Sequence, residues 1–157
     1  RIPKDDELYA DARLRAASLY QEQGKTAKAL DEIEEALGTR PDSDELLAYE
    51  AALYREQKKL DKAIAVLQRL VEKQPDNDQY HFRLGALYER GAGVPRDMEY
   101  AYGWYATAAH LGNRKAGEAL AKTENQLSPE ERVQADKLAR DLIGRFGVTP
   151  KSTSVQQ

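Results

Sequence analysis

Side chains that commonly perform chemistry are scarce in this sequence of 157 residues, which contains two histidines and no cysteine. The absence of cysteine excludes thiol nucleophiles, thiolate metal sites and disulfides. His81 and His110 lie far apart in the sequence, and no acidic residue beside either of them completes a metal-ligand or catalytic set. We therefore interpret both histidines as surface residues of helices, and we expect no catalytic residue, no metal site and no cofactor.

Three short segments look superficially like ligand-binding loops: residues 42–44, residues 76–78 and residues 91–93. A calcium loop needs glycine at its sixth position and glutamate at its twelfth, and neither acidic segment is followed by such residues. A phosphate loop needs a preceding strand and a Lys-Ser or Lys-Thr pair, which the glycine segment lacks. We interpret the acidic segments as helix caps and the glycine segment as a lengthened helix–helix turn, with Val94 packing back onto the helices.

A dense aromatic cluster comprises Tyr100, Tyr102, Trp104 and Tyr105. On a helix these residues occupy two faces, so we interpret the cluster chiefly as packing between neighbouring helix pairs. An exposed member would suit a partner as an anchor, because tryptophan and tyrosine dominate binding hot spots.

Composition and charge limit the classes of function that the chain can have. Hydrophobic residues make up 41% and charged residues 32%, and the formal net charge of −3 argues against a nucleic-acid binder. No apolar run is long enough to span a membrane. The chain starts at Arg1 without an apolar leader, so we expect no targeting segment and a longer parent chain. The lack of cysteine suits a bacterial cytoplasm or periplasm equally, so the compartment stays open.

The apolar residues recur at spacings of three and four, which predicts helices and no strands. Glycine and proline stop signals, such as Gly24 and Pro41, separate the helical segments. The predicted helices cover residues 5–22, 26–37, 43–57, 60–73, 77–90, 97–111, 114–125 and 129–146.

A repeat of 34 residues organises these helices, because Tyr20, Tyr54 and Tyr88 recur at that interval within the same short phrase. Small residues stand where the two helices of a pair are expected to cross; they are Ala17, Ala29, Ala51, Ala63 and Gly85. Each pair would leave one apolar side that only a neighbouring pair covers. The sequence therefore predicts an all-α solenoid of helix-turn-helix repeats.

This pattern resembles the tetratricopeptide repeat (TPR), whose signature combines W-x2-L-G-x2-Y, A-x3-F and P. In the first unit the signature positions hold Arg13, Ala16, Ala17, Tyr20, Ala29, Ile33, Ala36 and Pro41, and in the second they hold Leu47, Glu50, Ala51, Tyr54, Ala63, Leu67, Leu70 and Pro75. Both units lack the tryptophan, and Leu70 stands where the family usually has a small alanine.

The third unit resembles the related Sel1-like repeat, because its turn is longer by 4 residues and Gly112 stands where the earlier units have proline. The resemblance implies a right-handed solenoid of about eight helices in one domain over residues 1–147. Its units lie near residues 10–43, 44–77, 78–112 and 113–146. The last helix begins with a capping box at Ser128 and is interpreted as a capping helix, and residues 148–157 are interpreted as a flexible tail.

In tetratricopeptide proteins the first helix of each pair lines a concave groove, so the resemblance implies a partner-binding surface at the matching positions. These positions hold Leu14, Arg15, Ser18, Glu22, Glu45, Ala48, Tyr49, Ala52, Arg55, Gln79, Phe82, Arg83, Ala86, Glu89, Arg90, Glu118 and Lys122. The apolar and small residues would form a floor, and the arginines would bind carboxylates or carbonyls of a partner. Some members clamp a chaperone's C-terminal carboxylate with lysine and asparagine. Leu14 and Ser18 replace them here, so we expect no such clamp.

These features predict a non-enzymatic scaffold that binds a peptide or a partner helix in the groove, without nucleic acid. Resemblance to Sel1-like proteins suggests a bacterial assembly, secretion or envelope role. The alternatives are a structural or self-associating segment of a larger bacterial assembly or envelope protein, and an engineered fusion of two repeat types. An enzyme is disfavoured because acid–base and metal sets are missing.

Overall fold

The structure is a computed structural model that describes residues 3–4, 7–91 and 97–147. Over these ranges the chain forms eight α-helices and no strand, which confirms the predicted all-α helix-turn-helix architecture. In chain order, α1 to α8 are Leu8–Glu22, Thr26–Thr39, Asp44–Glu56, Leu60–Lys73, Asp78–Arg90, Met98–His110, Arg114–Glu124 and Pro129–Phe146. The predicted turn around Val94 and the predicted tail over residues 148–157 lie outside the described residues.

The chain divides into two compact units, unit 1 over residues 1–67 and unit 2 over residues 68–157. In unit 1, α1 pairs with α2, and α3 packs on α2. In unit 2, α5 pairs with α6, and α7 and α8 also pack on α6. Helix α4 begins in unit 1 and ends in unit 2.

Several helices begin at side-chain caps, as the acidic segments predicted. Ser43 Oγ and Asn77 Oδ1 accept hydrogen bonds from first-turn backbone N–H groups at 3.3 Å and 3.1 Å. At the start of α8, Ser128 and Glu131 form the complete predicted capping box. The polar side chains of these segments thus satisfy helix ends.

The turns within the first two repeats share one backbone geometry. Gly24 has a φ of +72°, and Lys58, which lies one repeat later, has a φ of +59°. Each donates its N–H to the carbonyl three residues earlier, at 2.9 Å to Gln21 and at 3.0 Å to Arg55. Glycine adopts this left-handed conformation easily, whereas a lysine there is uncommon.

Small residues form part of the buried core in both units. Those predicted at the crossings are all buried, namely Ala17, Ala29, Ala51, Ala63 and Gly85. The core of unit 1 adds larger residues, which include Leu30, Ile33, Leu46 and Leu53. In unit 2 one cluster centres on Tyr105, and a second packs Tyr102 against Ala135 and Ala139 of α8.

Helix α8 rests on α6 at Gly103. A β-carbon at this position would lie 3.0 Å from Leu142 Cδ1 and 3.5 Å from Leu138 Cβ, both on α8. The missing side chain therefore permits the close approach of the two helices.

Candidate partner-binding surface

In unit 1 the predicted partner-binding residues lie on α1 and α3, the first helices of two repeats. Leu14 and Tyr49 are half-buried and both pack against the core of unit 1, and Ala48 and Ala52 are half-buried as well. The other predicted residues of this unit are exposed: Arg15, Ser18, Glu22, Glu45 and Arg55. The two helices thus present an apolar strip, which consists of Leu14, Ala48, Tyr49 and Ala52 and has charged residues at its margins.

A hydrogen-bond chain that the sequence did not predict joins α1 to α3 on this surface. The Tyr49 hydroxyl donates to Gln21 Oε1, and Gln21 Nε2 donates to Glu56 Oε1 at 2.5 Å. Burial raises the pKa of Tyr49, and the carboxylates of Glu56 and Glu22 raise it further. The hydroxyl therefore stays protonated and holds the aromatic ring in the strip. The position of Gln21, one turn beyond Ser18, is the signal that could have revealed its role.

In unit 2 the predicted residues lie on α5 and α7. The ring of Phe82 is half-buried and packs on the ring of Tyr105 at a centroid distance of 5.7 Å, and Ala86 packs beside them. Glu89 Oε2 accepts a hydrogen bond from the Tyr105 hydroxyl at 2.5 Å. The other predicted residues of this unit are exposed: Gln79, Arg83, Arg90, Glu118 and Lys122.

Tyr105 packs against the predicted residues Phe82 and Ala86 of this surface. Burial raises the pKa of Tyr105 far above its ordinary value, and the hydrogen bond to Glu89 raises it further. The hydroxyl therefore stays protonated at neutral pH and donates to Glu89, so that this carboxylate already has a partner within unit 2. Phe82 is the aromatic residue of α5 among the predicted partner-binding residues, and it is half-buried.

Three of the arginines on these helices have exposed side chains without a partner among the described residues. Arg15, Arg55 and Arg83 are exposed, and within the described ranges the guanidinium group of each has no hydrogen-bond or ion-pair partner. In contrast, Arg13 on α1 pairs with Glu32 at 2.8 Å. An unpaired guanidinium keeps its five donors for carboxylate or carbonyl oxygens.

The prediction that His81 is a surface residue is wrong, whereas His110 is exposed as predicted. The His81 ring is fully buried in unit 2, with centroid distances of 5.7 Å to Trp104 and 5.5 Å to Phe146. Its Nε2 bonds to the Pro75 carbonyl at 2.8 Å, and Nδ1 has no partner among the described residues. Burial lowers the pKa of His81. The ring is therefore neutral at pH 7 and serves packing.

Among the described residues, no group of three or more histidine, aspartate or glutamate side chains is placed to hold a metal ion. None of the described helices is long and apolar enough to cross a membrane.

Three of the four aromatic residues between positions 100 and 105 are buried, as the packing interpretation predicted: Tyr102, Trp104 and Tyr105. Tyr100 is the exposed member, with 41% of its surface accessible. Its ring stacks on Tyr88 at a centroid distance of 5.4 Å. Tyr100 lies on α6, a second helix, and so apart from the residues predicted to bind a partner.

The sequence profile of the tetratricopeptide repeat matches residues 20–87 of the chain. No curated protein matches the chain significantly. Comparison with solved structures, in contrast, finds the same fold in several proteins.

One similar structure is c5321, a protective antigen present in uropathogenic Escherichia coli strains that displays an SLR (Sel1-like repeat) fold. It has a TM-score of 0.67 and 21% identity, over 87% of this chain and 30% of c5321. This chain thus spans less than a third of c5321. The first TPR domain of Spaghetti (RPAP3), bound to the HSP90 peptide SRMEEVD, has a TM-score of 0.64 and 24% identity, over 77% of this chain and 94% of that chain.

A structure of MamA has a TM-score of 0.64 and 24% identity, over 87% of this chain and 78% of MamA. The profile match includes the repeat signatures at Tyr20 and Tyr54, and the shared fold agrees with a further repeat at Tyr88. The chain therefore has the fold of tetratricopeptide and Sel1-like repeat proteins, and its residues 20–87 match the tetratricopeptide-repeat profile.

Proposed function

We propose that the chain is a non-enzymatic scaffold that binds a protein partner, as an extended peptide or a helix, on the first helices of its repeats. The observation that carries the proposal is an apolar strip bordered by unpaired arginines. In unit 1 the strip contains Leu14 and Tyr49 and is bordered by Arg55. In unit 2 Phe82 lies beside Arg83. A peptide supplies apolar side chains for the strip and carboxylate or carbonyl oxygens for the guanidinium groups.

The fold supports this proposal, since repeats of the same architecture in RPAP3 bind a peptide. The hydrogen bonds and the burial of the titratable side chains also support a non-enzymatic role. Glu89 accepts a hydrogen bond from Tyr105, and Glu56 accepts one from Gln21, so both carboxylates stabilise the surface. His81, the residue type best suited to acid–base chemistry at neutral pH, is enclosed in the core of unit 2.

Affinity capture with a double variant, Arg55→Glu with Phe82→Ala, tests the proposal. Proteins recovered by the unaltered chain are identified by mass spectrometry, purified and tested for direct binding. We expect the variant to weaken binding about tenfold or more, because it reverses one free charge and removes one aromatic anchor. Circular dichroism checks that the variant keeps its helices.

The matched control is Arg140→Glu with Val133→Ala on α8, which changes an exposed charge and an exposed apolar side chain away from the first helices. It should leave binding unchanged. Equal binding by the double variant, or an equal loss in the control, would contradict the proposal.

Self-association is the second candidate, because two large apolar side chains are exposed on one face of α1. Leu8 and Leu19 are 62% and 58% exposed, and their spacing places them on the same side of the helix. Light scattering over a range of protein concentrations tests this candidate. A molecular mass that rises with concentration, and that Leu19→Glu returns to the monomer value, would support it. A constant monomer mass would exclude it.

A further inference from the structure

A cleft with a volume of about 530 Å³ lies in unit 2 between the last turns of α4 and the helices α6 and α8. None of its lining residues belongs to the predicted partner-binding surface. Its apolar walls consist of Val71, Tyr100, Trp104, Leu138, Leu142 and Phe146. Its size falls within the range of pockets that bind small molecules or inserted side chains, about 300–1,000 Å³.

Aromatic rings form one side of the cleft and are held in place from behind. The rings of Trp104 and Phe146 lie 5.7 Å apart, and the buried ring of His81 contacts both of them. Tyr100 stacks on Tyr88 and remains partly exposed at the cleft. A further ring that enters the cleft would find aromatic faces and edges in fixed positions, which is the arrangement that favours aromatic pairing.

The charges around the cleft cancel. Glu72 on α4 forms an ion pair with Arg145 on α8, and the Arg145 guanidinium also lies 4.7 Å from the centre of the Phe146 ring. Arg69 and Asp141 add one further charge of each sign to the lining. A charged ligand would meet an opposing charge for every attractive one, whereas an uncharged ring avoids that repulsion.

We propose that this cleft is a binding site for an uncharged benzene ring, carried either by a phenylalanine side chain of a partner or by a free small molecule. The site is independent of the proposed groove on the first helices. A failure here would therefore leave that proposal untouched.

Trp104 makes the test direct, because it is the only tryptophan of the chain and it lines the cleft. Its fluorescence and its indole N–H signal in NMR spectra of the full chain are followed during three titrations. The probes are N-acetylphenylalanine amide, benzyl alcohol and N-acetylleucine amide. We expect saturable changes with both aromatic probes and none with the leucine probe. Tighter binding of the phenylalanine amide would assign the ring to a peptide, and tighter binding of benzyl alcohol would assign it to a small molecule.

Tyr100→Ala removes an exposed wall of the cleft and should weaken binding of the aromatic probes about fivefold, the effect of one aromatic contact. Val133→Ala, which removes an exposed apolar side chain of α8 that does not line the cleft, is the matched control and should leave binding unchanged. No saturable change with either aromatic probe, or an equal response to the leucine probe, overturns the proposal. So does a Trp104 signal that shifts with protein concentration alone, because a second copy would then occupy the cleft.

Discussion

The ring of Tyr105 on α6 lies directly against the backbone of Gly85 on α5, where a β-carbon would stand 2.6 Å from the ring atom Cδ1. This contact brings the Tyr105 hydroxyl to Glu89 and places Phe82 against the same ring. The aromatic part of the proposed partner-binding surface in unit 2 therefore depends on the absence of a side chain at Gly85.

Gly85→Ala is expected to destabilise the chain by about 1–3 kcal/mol, because the added methyl group overlaps a buried ring. Chemical denaturation followed by circular dichroism measures the change. Gly117→Ala is the matched control, since Gly117 also lies in a helix but has open space where its β-carbon would stand. This control should be neutral or stabilising by up to about 1 kcal/mol. A similar loss in both variants would contradict the role of the Tyr105 contact.

The stability of the chain should depend on pH through His81. Its pKa is lowered in the folded chain, so the unfolded chain binds more protons as the pH falls below the ordinary histidine value of about 6.5. The contribution of His81 is therefore fully present above that pH and is lost on acidification. We expect His81→Phe to reduce the fall in unfolding free energy between pH 7 and pH 5, measured by urea denaturation.

His110→Gln is the control for this experiment, because His110 is exposed. It should keep the pH dependence of the unaltered chain. An identical pH dependence in the His81→Phe variant would mean that burial of the imidazole has no effect on acid stability.

The capping box of α8 should contribute measurably to stability. Ser128→Ala removes the acceptor for the Glu131 N–H, which lies 3.2 Å from Ser128 Oγ, and should cost about 1 kcal/mol. Ser18→Ala on α1 is the control, since Ser18 is exposed within a helix and alanine is the better helix former. Chemical denaturation of both variants provides the comparison. A loss in the control as large as that in Ser128→Ala would rule out a specific effect of the cap.

The peptide SRMEEVD, which is bound by the TPR domain of RPAP3, should show no measurable binding to this chain. The resemblance to the tetratricopeptide repeat implies that Leu14 and Ser18 replace the lysine and asparagine of the chaperone clamp, and Leu14 is partly enclosed by the core of unit 1. Isothermal titration calorimetry with the RPAP3 domain as positive control decides the point. Saturable heat with this chain would refute the expectation.

The helices were predictable because their signals are local. Gly24 ends one turn with a left-handed conformation, and Ser128 with Glu131 marks the start of α8. The 34-residue period placed small residues such as Ala17 at the crossings, and each is buried. Spacing and residue type are sufficient for these features, since they depend on neighbours within one helix pair.

The burial of His81 could not be predicted in the same way. It depends on Phe146 and hence on the way α8 lies over α6, a contact between residues distant in the sequence. The hydrogen bond between Tyr49 and Gln21 joins two successive repeats, and the signature positions of the repeat do not include Gln21. Contacts between repeats depend on individual side chains that the period leaves unspecified.

The turn at Lys58 has a consequence for how such chains can change. Lys58 repeats the left-handed conformation of Gly24, although lysine disfavours it. The hydrogen bond from Lys59 N to the Tyr54 carbonyl, at 2.9 Å, matches the bond from Lys25 N to Tyr20 at 2.8 Å. The packed helices, rather than the turn residue, therefore fix this geometry. A residue other than glycine can therefore occupy such a turn, whereas the contact of Gly85 with the ring of Tyr105 leaves no space for a β-carbon.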